Sequence, residues 1–207
     1  MKTIIFDMDG TIIDSSIAIE KTVNEVREQM NLAPLEADFI IKAINEPGRN
    51  LGLDFYSIDR PSASLKEGFE EKFKKYYDLY AVCYNGIDEL LNLCKNENFK
   101  VVLASNAPQN TLEAILKKCE IYEIFDEIIG ASEYIPQKPD PTMLLLACER
   151  VGASRAMFVG DSMKDELAAK NAKMPYMQVS WGFGKKSQSA EFNASSIKEA
   201  WALISEF

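Results

Sequence analysis

Ile4-Ile5-Phe6-Asp7-Met8-Asp9-Gly10-Thr11 (IIFDMDGT) is the stretch whose reading decides the fold. Three consecutive apolar residues stopped by acids and a glycine read as a short strand buried on both faces. Asp7 and Asp9 cannot enter that core, because an unpaired buried charge is too costly. They belong in the crevice beyond the carboxyl end of the strand, where open α/β sheets place their ligands. Being two apart, both side chains fall on one face of an ideal strand. Gly10 lets the chain leave in an unusual backbone conformation, which can aim N–H groups at an anion. A strand-ending turn without chemistry would use the same residue types.

Working outward, strand-like runs recur only in the second part of the chain, at Lys100–Ser105, Glu127–Gly130, Ala156–Gly160 and Tyr176–Val179. Helical patterns lie between and after them, near 86–96, 108–118, 141–151, 164–172 and 197–205. Strand–helix alternation predicts a parallel sheet covered on both faces. The block after Thr11 is different. Apolar residues at Ile19, Val23, Val26 and Met30 mark an amphipathic helix over about 16–32, a second helix covers about 35–45, and a third covers about 64–80. The string EPGRNLG (46–52) reads as a loop from its Pro and Gly. Leu65, Phe69, Phe73, Tyr76, Tyr77 and Tyr80 form an aromatic stripe expected to be core. The predicted architecture is a Rossmann-like α/β parallel-sheet core, residues 1–14 and 83–207, with an inserted α-helical cap domain, residues 15–82.

Composition removes several function classes. At 207 residues the chain can bury a substantial core. A net charge of −9 without a concentrated basic stripe argues against nucleic-acid binding. It leaves room for a small phosphate substrate, provided a cation and local donors focus the field. No apolar run is long enough to span a membrane, and the N-terminal apolar run is broken by Asp7, unlike a signal peptide. The four cysteines, Cys83, Cys94, Cys119 and Cys148, are far apart in sequence and read as reduced thiols of a cytoplasmic protein. The absence of histidine removes the usual general base and the Ser-His-Asp triad.

Three later strand ends echo the first. Ser105 and Asn106 end KVVLAS, where a hydroxyl, an amide and backbone N–H groups could hold an anion or simply cap a helix. Lys138 lies in PQKPDPTM, before a helix that Asp140 and Pro141 would start. Asp161 and Asp165 follow the strand AMFVG, four apart, so one helical turn puts both on one side. Each taken alone has a purely structural alternative. Together they bring an acid pair, a hydroxyl and amide, a lysine and a second acid pair to one edge of one sheet. Hard carboxylate oxygens without histidine or thiolate suit Mg²⁺, and lysine, hydroxyl and backbone donors suit a phosphoryl group.

The set FDMDGT, ASN, QKPDP and GDSMKDE resembles the haloacid dehalogenase superfamily, specifically its capped phosphatases of the phosphoglycolate-phosphatase and β-phosphoglucomutase type. The resemblance extends to the DGTIIDS entry to the cap and the YNGIDELL return, where the family often has Pro in place of Asn85. It implies Asp7 as the nucleophile forming an aspartyl-phosphate and Asp9 as the general acid/base. It implies Mg²⁺ held by Asp7, the backbone carbonyl of Asp9 and Asp161, with Asp165 supporting or ligating. Ser105, Lys138 and the N–H groups near Gly10, Thr11 and Asn106 would hold the phosphoryl oxygens. A carboxylic acid that must carry a proton near neutral pH needs an environment that raises its pKa above about 3.9.

Asp9 separates the members of the superfamily, since dehalogenases lack this second acid. Phosphonate-cleaving members replace it and use a cap lysine. The mutases use a cap-entry histidine that this chain does not have. A non-enzymatic phospho-switch is the other class, disfavoured by the helical insertion and the acid-free strand 100–105. The implied substrate is a small phosphate monoester, phosphoglycolate- or sugar-phosphate-like. Arg49, with Asn50 beside it, is the candidate for contacting its leaving group; a solvated surface arginine is the alternative. Oligomeric state is not legible.

Overall fold

The computed structural model describes residues 1–207. The chain divides into two compact units, Met1–Asp14 with Cys83–Phe207, and Ser15–Val82.

The first unit is built on a six-stranded sheet. Its strands are β1 (Lys2–Phe6), β4 (Lys100–Pro108), β5 (Glu127–Ala131), β6 (Arg155–Gly160), β7 (Tyr176–Val179) and β8 (Phe192–Ala194), in the order β5-β4-β1-β6-β7-β8. Every neighbouring pair is parallel. Thr3, Ile4, Ile5 and Phe6 are all buried although they alternate between faces, so both faces of β1 are covered. β1 is central because, after the exposed Lys2, its four successive buried residues need cover on both faces. Register then positions the site. Phe6 stands beside Leu103 of β4 and Val159 of β6, so Asp7, Ser105 and Asp161 emerge from adjacent strands within two residues of the same line. This is the carboxyl edge at which the order reverses on either side of β1.

Five helices accompany the sheet, α5 (Ile87–Asn96), α6 (Gln109–Lys118), α7 (Thr142–Val151), α8 (Met163–Asn171) and α9 (Ile197–Glu206). Met143, Leu144 and Ala147 of α7 pack with Ile5, Val102 and Phe158 of the sheet. Burying each of the larger side chains stabilises by about 1.5–3 kcal/mol. Ser162 starts α8 through a reciprocal capping box with Asp165. That local device matters again below. Two short strands, β2 (Ile13–Asp14) and β3 (Val82–Cys83), pair as a two-stranded ribbon.

The second unit is helical, with α1 (Ser16–Gln29), α2 (Ala37–Asn45), α3 (Leu51–Tyr56) and α4 (Ala63–Tyr80). α1 packs against α4 and α2. Four differences from the sequence reading emerge. Leu51 and Gly52, read as the end of a loop, instead open a helix over 51–56, because the Asn50 side chain accepts from the Leu53 N–H at 3.2 Å and caps it. Pro108 ends β4 rather than beginning α6, and β8 is three residues, too short to show a pattern. The aromatic stripe of α4 is two rows rather than one. Phe69, Phe73 and Tyr77 lie four apart in one row, Phe69 stacked on Phe73 at 5.9 Å and Phe73 tilted against Tyr77 at 4.3 Å between centroids, whereas Tyr76 stacks on an exposed Tyr80.

Candidate active site

Asp7 leaves β1 directly into the crevice and is buried. Its N–H still donates to Val159 O at 2.9 Å, which ties the first acid to β6. The chain then turns on itself. Gly10 N–H donates to Ile13 O at 2.9 Å and Thr11 N–H to Met8 O at 3.3 Å. In this structure the turn engages both of the N–H groups that the sequence reading offered to an anion. The role of Gly10 here is room. It holds φ at +83°, and a Cβ there would overlap the Asp161 carboxylate and stand 2.8 Å from the Phe183 ring. Thr11 is buried, and its hydroxyl donates to Asp161 Oδ1 at 3.3 Å.

Asp161 and Asp165 come from the end of β6 and the first turn of α8. Asp165 Oδ2 accepts from the Ser162 N–H at 3.1 Å and the Ser162 hydroxyl at 2.6 Å, fixing its orientation. Lys138 reaches in from the loop before α7. Its Nζ meets Asp7 Oδ1 at 2.5 Å, Asp165 Oδ1 at 2.7 Å and Ala104 O at 2.9 Å, and it is 3% exposed. Asn106 holds that loop, accepting from Lys138 N–H at 2.7 Å and donating to Lys138 O at 3.1 Å. Its side chain thus positions the lysine. Ser105 is buried, with its Oγ accepting from the Ala107 N–H at 3.1 Å.

Asp7, Asp161 and Asp165 are all buried, and each offers a carboxylate oxygen within 4.8 Å of the others. One ammonium against three carboxylates leaves an excess of negative charge that water cannot screen. Burial, then Asp165, push the Asp7 carboxyl up to about 8, against the pull of Lys138. Burial and the same acids raise Asp161 as well. Burial alone would lower the Lys138 ammonium, but Asp165 and Asp7 hold it above the lysine range. Asp161 Oδ2 is buried without a hydrogen-bond partner. An orphaned carboxylate oxygen in an over-acidic, all-oxygen cluster fits a hard divalent cation. Asp9 is half-buried one step further along the turn, bridged to Ile13, and its charge reaches Asp7.

Residues 4–179 match the haloacid dehalogenase-like hydrolases. The chain belongs to this hydrolase family. A phosphoglycolate phosphatase of Aquifex aeolicus is 32% identical over 94% of this chain and 92% of its own. One from Psychrobacter arcticus is 27% identical over 99% of this chain and 94% of its own. CbbY from Rhodobacter sphaeroides, solved in complex with phosphate, superimposes with a TM-score of 0.80 at 20% identity, covering 95% of each chain.

The hydrolase has site neighbours that the sequence reading passed over. Trp181 Nε1 donates to Thr11 O at 3.0 Å, and Gln178 Nε2 donates to Asp161 O at 2.7 Å. Tyr176 donates to Gln178 Oε1 at 3.0 Å. A Cβ on Gly182 would overlap Gly10 O, and one on Gly184 would overlap Asp161 O. The segment 178–184 is thus pressed against the turn of β1 and the end of β6. Its signal was present in WGFG, two glycines two apart just after a strand, which marks close backbone approach. Tyr84 is a further neighbour: burial, then Asp14, Asp161 and Asp9, raise its hydroxyl.

Arg49 lies in the helical unit. Its Nε donates to Asp54 at 2.8 Å and its Nη1 to Glu46 at 2.9 Å, and the guanidinium lies 5.6 Å from the Phe39 ring. No helix is long and apolar enough to cross a membrane.

Proposed function

We propose that this hydrolase is a Mg²⁺-dependent phosphatase acting on a small phosphate monoester, phosphoglycolate- or sugar-phosphate-like, through an aspartyl-phosphate on Asp7. The observation that carries this is the buried Asp7–Asp161–Asp165 cluster held by Lys138. The phosphatase names of the relatives, and the phosphate in CbbY, support the substrate class.

Asp7, Asp161 and the backbone carbonyl of Asp9 would hold Mg²⁺, with Asp165 beside them. When bound, the ion supplies positive charge that offsets the phosphoryl oxygens and keeps Asp7 ionised. Asp7 then attacks phosphorus as a carboxylate. The three N–H groups of Lys138 go to Asp7, Asp165 and the Ala104 carbonyl, so a phosphoryl oxygen would take the place of one of these acceptors while the ammonium charge offsets its own. The Ser105 hydroxyl and the Asn106 backbone lie on the next strand end and take the remaining oxygens. Asp9 protonates the leaving alkoxide and then accepts a proton from the water that opens the aspartyl-phosphate. Thr11, Ser162 and Gln178 hold Asp161 and Asp165 in place. Arg49 is our candidate for recognising an anionic leaving group, which would have to replace Glu46 or Asp54 on its guanidinium. We place the reaction in the cytoplasm, in keeping with four free cysteines.

Phosphate release from a panel of monoesters, with Mg²⁺ and with EDTA, tests the reading, with Asp7→Asn alongside. Mg²⁺-dependent turnover that disappears in the variant is the expected result. Undiminished turnover in Asp7→Asn would overturn it. Arg49→Ala should reduce the preference for anionic over neutral leaving groups, and an unchanged ranking would remove Arg49 from the site.

A further inference from the structure

Thr11 is fixed at three points inside the first unit. Its N–H donates to Met8 O at 3.3 Å, its hydroxyl donates to Asp161 Oδ1 at 3.3 Å, and its carbonyl accepts the Trp181 indole N–H at 3.0 Å. The hydroxyl bond is long for its type. A side-chain contact of about 3.6 Å is no longer a hydrogen bond, so a drift of about 0.3 Å in the Thr11 backbone would lose it. That bond also decides which oxygen of Asp161 is free. Oδ1 is engaged by Thr11, whereas Oδ2 is buried without a hydrogen-bond partner.

The chain after β7 is shaped to reach Thr11. Gly182 and Gly184 let its backbone lie directly on Gly10 O and Asp161 O, where a Cβ would overlap. Between β7 and Gly182, Trp181 meets the turn with a side chain whose one polar atom is a donor, and the Thr11 carbonyl is its acceptor. The main chain of Asp161 is held from the same stretch. Gln178 Nε2 donates to Asp161 O at 2.7 Å, and its Oε1 accepts from the Tyr176 hydroxyl at 3.0 Å, which fixes the way the amide faces. The backbone of Asp161 is thus held directly, and its carboxylate is held through Thr11.

We propose that Trp181 is a positioning residue for the divalent cation: its indole N–H fixes the Thr11 carbonyl, the Thr11 hydroxyl in turn holds Asp161 Oδ1, and Oδ2 is left for the cation. The inference rests on the cation-dependent reading given above and adds a residue to it. Trp181 acts through Thr11, so it bears on cation affinity rather than on the chemical step. Groups that orient a metal ligand set its affinity because a ligand free to turn must be ordered again at each binding event. Trp181 and Thr11 lie on one route to Asp161, so their effects are coupled rather than independent.

The test is isothermal titration calorimetry of Mg²⁺ into the full chain without substrate, on the parent and on variants shown by circular dichroism to be folded. Trp181→Phe keeps an aromatic ring and removes the donor. Its Mg²⁺ dissociation constant should rise about tenfold, the lower end of what support for a metal ligand is worth, and the accompanying loss of turnover should be recovered by raising Mg²⁺. Thr11→Val should cost at least as much, and Thr11→Ser, which restores a hydroxyl, should regain most of it. Trp181→Phe added to Thr11→Val should weaken binding no further. If Trp181→Phe does not fold, β-(3-benzothienyl)alanine at position 181 in a Trp201→Phe background exchanges only the N–H for sulfur, and the same rise is expected. A folded Trp181→Phe, sulfur analogue or Thr11→Val that binds Mg²⁺ as the parent does, or losses that multiply in the double variant, would overturn the proposal and leave the cation reading standing. A parent that binds no Mg²⁺ would overturn both.

Discussion

Lys138→Met removes the ammonium that contacts Asp7 and Asp165 while keeping most of the side-chain volume. In the parent, Lys138 Nζ meets Asp7 at 2.5 Å, Asp165 at 2.7 Å and the Ala104 carbonyl at 2.9 Å, all of them buried. The variant leaves Asp7, Asp161 and Asp165 within 4.8 Å of one another without the ammonium that joins Asp7 to Asp165. Removing one partner of a buried pair costs about 3–5 kcal/mol. At about 2–4 °C per kcal/mol for a chain of this size, the melting temperature should fall by roughly 6–20 °C in EDTA at pH 8. The sign with pH follows from the acids. Asp7 is raised from 3.8 to about 8 even with the lysine present, and losing Lys138 raises it further. The folded variant therefore takes up protons on acidification, so the deficit should narrow at pH 5.5. Mg²⁺ should recover part of the loss, because a cation again faces the carboxylates. Thermal unfolding at the two pH values, with EDTA and with Mg²⁺, reads all three effects. A variant that melts with the parent in EDTA at pH 8, or whose deficit ignores both pH and Mg²⁺, would refute the electrostatic account of the cluster.

Gly10→Ala should raise the Mg²⁺ concentration for half-maximal activity by about 10–100-fold, the usual cost of disturbing a ligand's support, because its Cβ would overlap the Asp161 carboxylate; an unchanged Mg²⁺ titration in a folded variant would contradict this. In EDTA the parent should melt at progressively lower temperature as pH rises from about 4 to about 8. Across that window the folded state holds the Asp7 proton that the unfolded state has lost, and saturating Mg²⁺ should flatten the slope. Asp126 accepts from Lys95 at 2.6 Å, Lys100 at 2.7 Å and the Val101 N–H at 2.9 Å. Although its burial opposes them, these donors lower its carboxyl. Asp126→Asn should therefore lose about 1.5–3 kcal/mol at neutral pH, a deficit that fades as pH falls below the usual carboxylate value, read by denaturant unfolding at pH 7 and pH 3.5.

The central strand and the strand ends were legible because each obeys a local rule. Ile4 to Phe6 have no polar residue to expose, and acids placed where such a run stops must sit at the sheet's edge. Register then carries Asp7, Ser105 and Asp161 to one line without further information. Lys138 was legible only as a member of the set, since nothing in PQKPDP says that its ammonium is buried against two carboxylates. The segment 178–184 escaped notice because its contribution is made by missing side chains and backbone carbonyls rather than by chemical groups. Gly182 and Gly184 matter for what they leave out. The Arg49 ion pairs depend on side-chain directions that spacing does not encode. The α4 stripe was read as one face because residues three and four apart were merged, whereas packing separates the 69/73/77 row from 76/80.

The central claim is that Asp7 becomes covalently phosphorylated. Rapid quenching during turnover of p-nitrophenyl phosphate with Mg²⁺, followed by borohydride reduction and peptide mass spectrometry, reads it directly. An aspartyl-phosphate is reduced to homoserine, whereas a free aspartate is not. The account predicts homoserine at position 7 and unmodified aspartate at positions 9, 161 and 165. Homoserine at any of those three, or at none of the four while phosphate is being released, would contradict it.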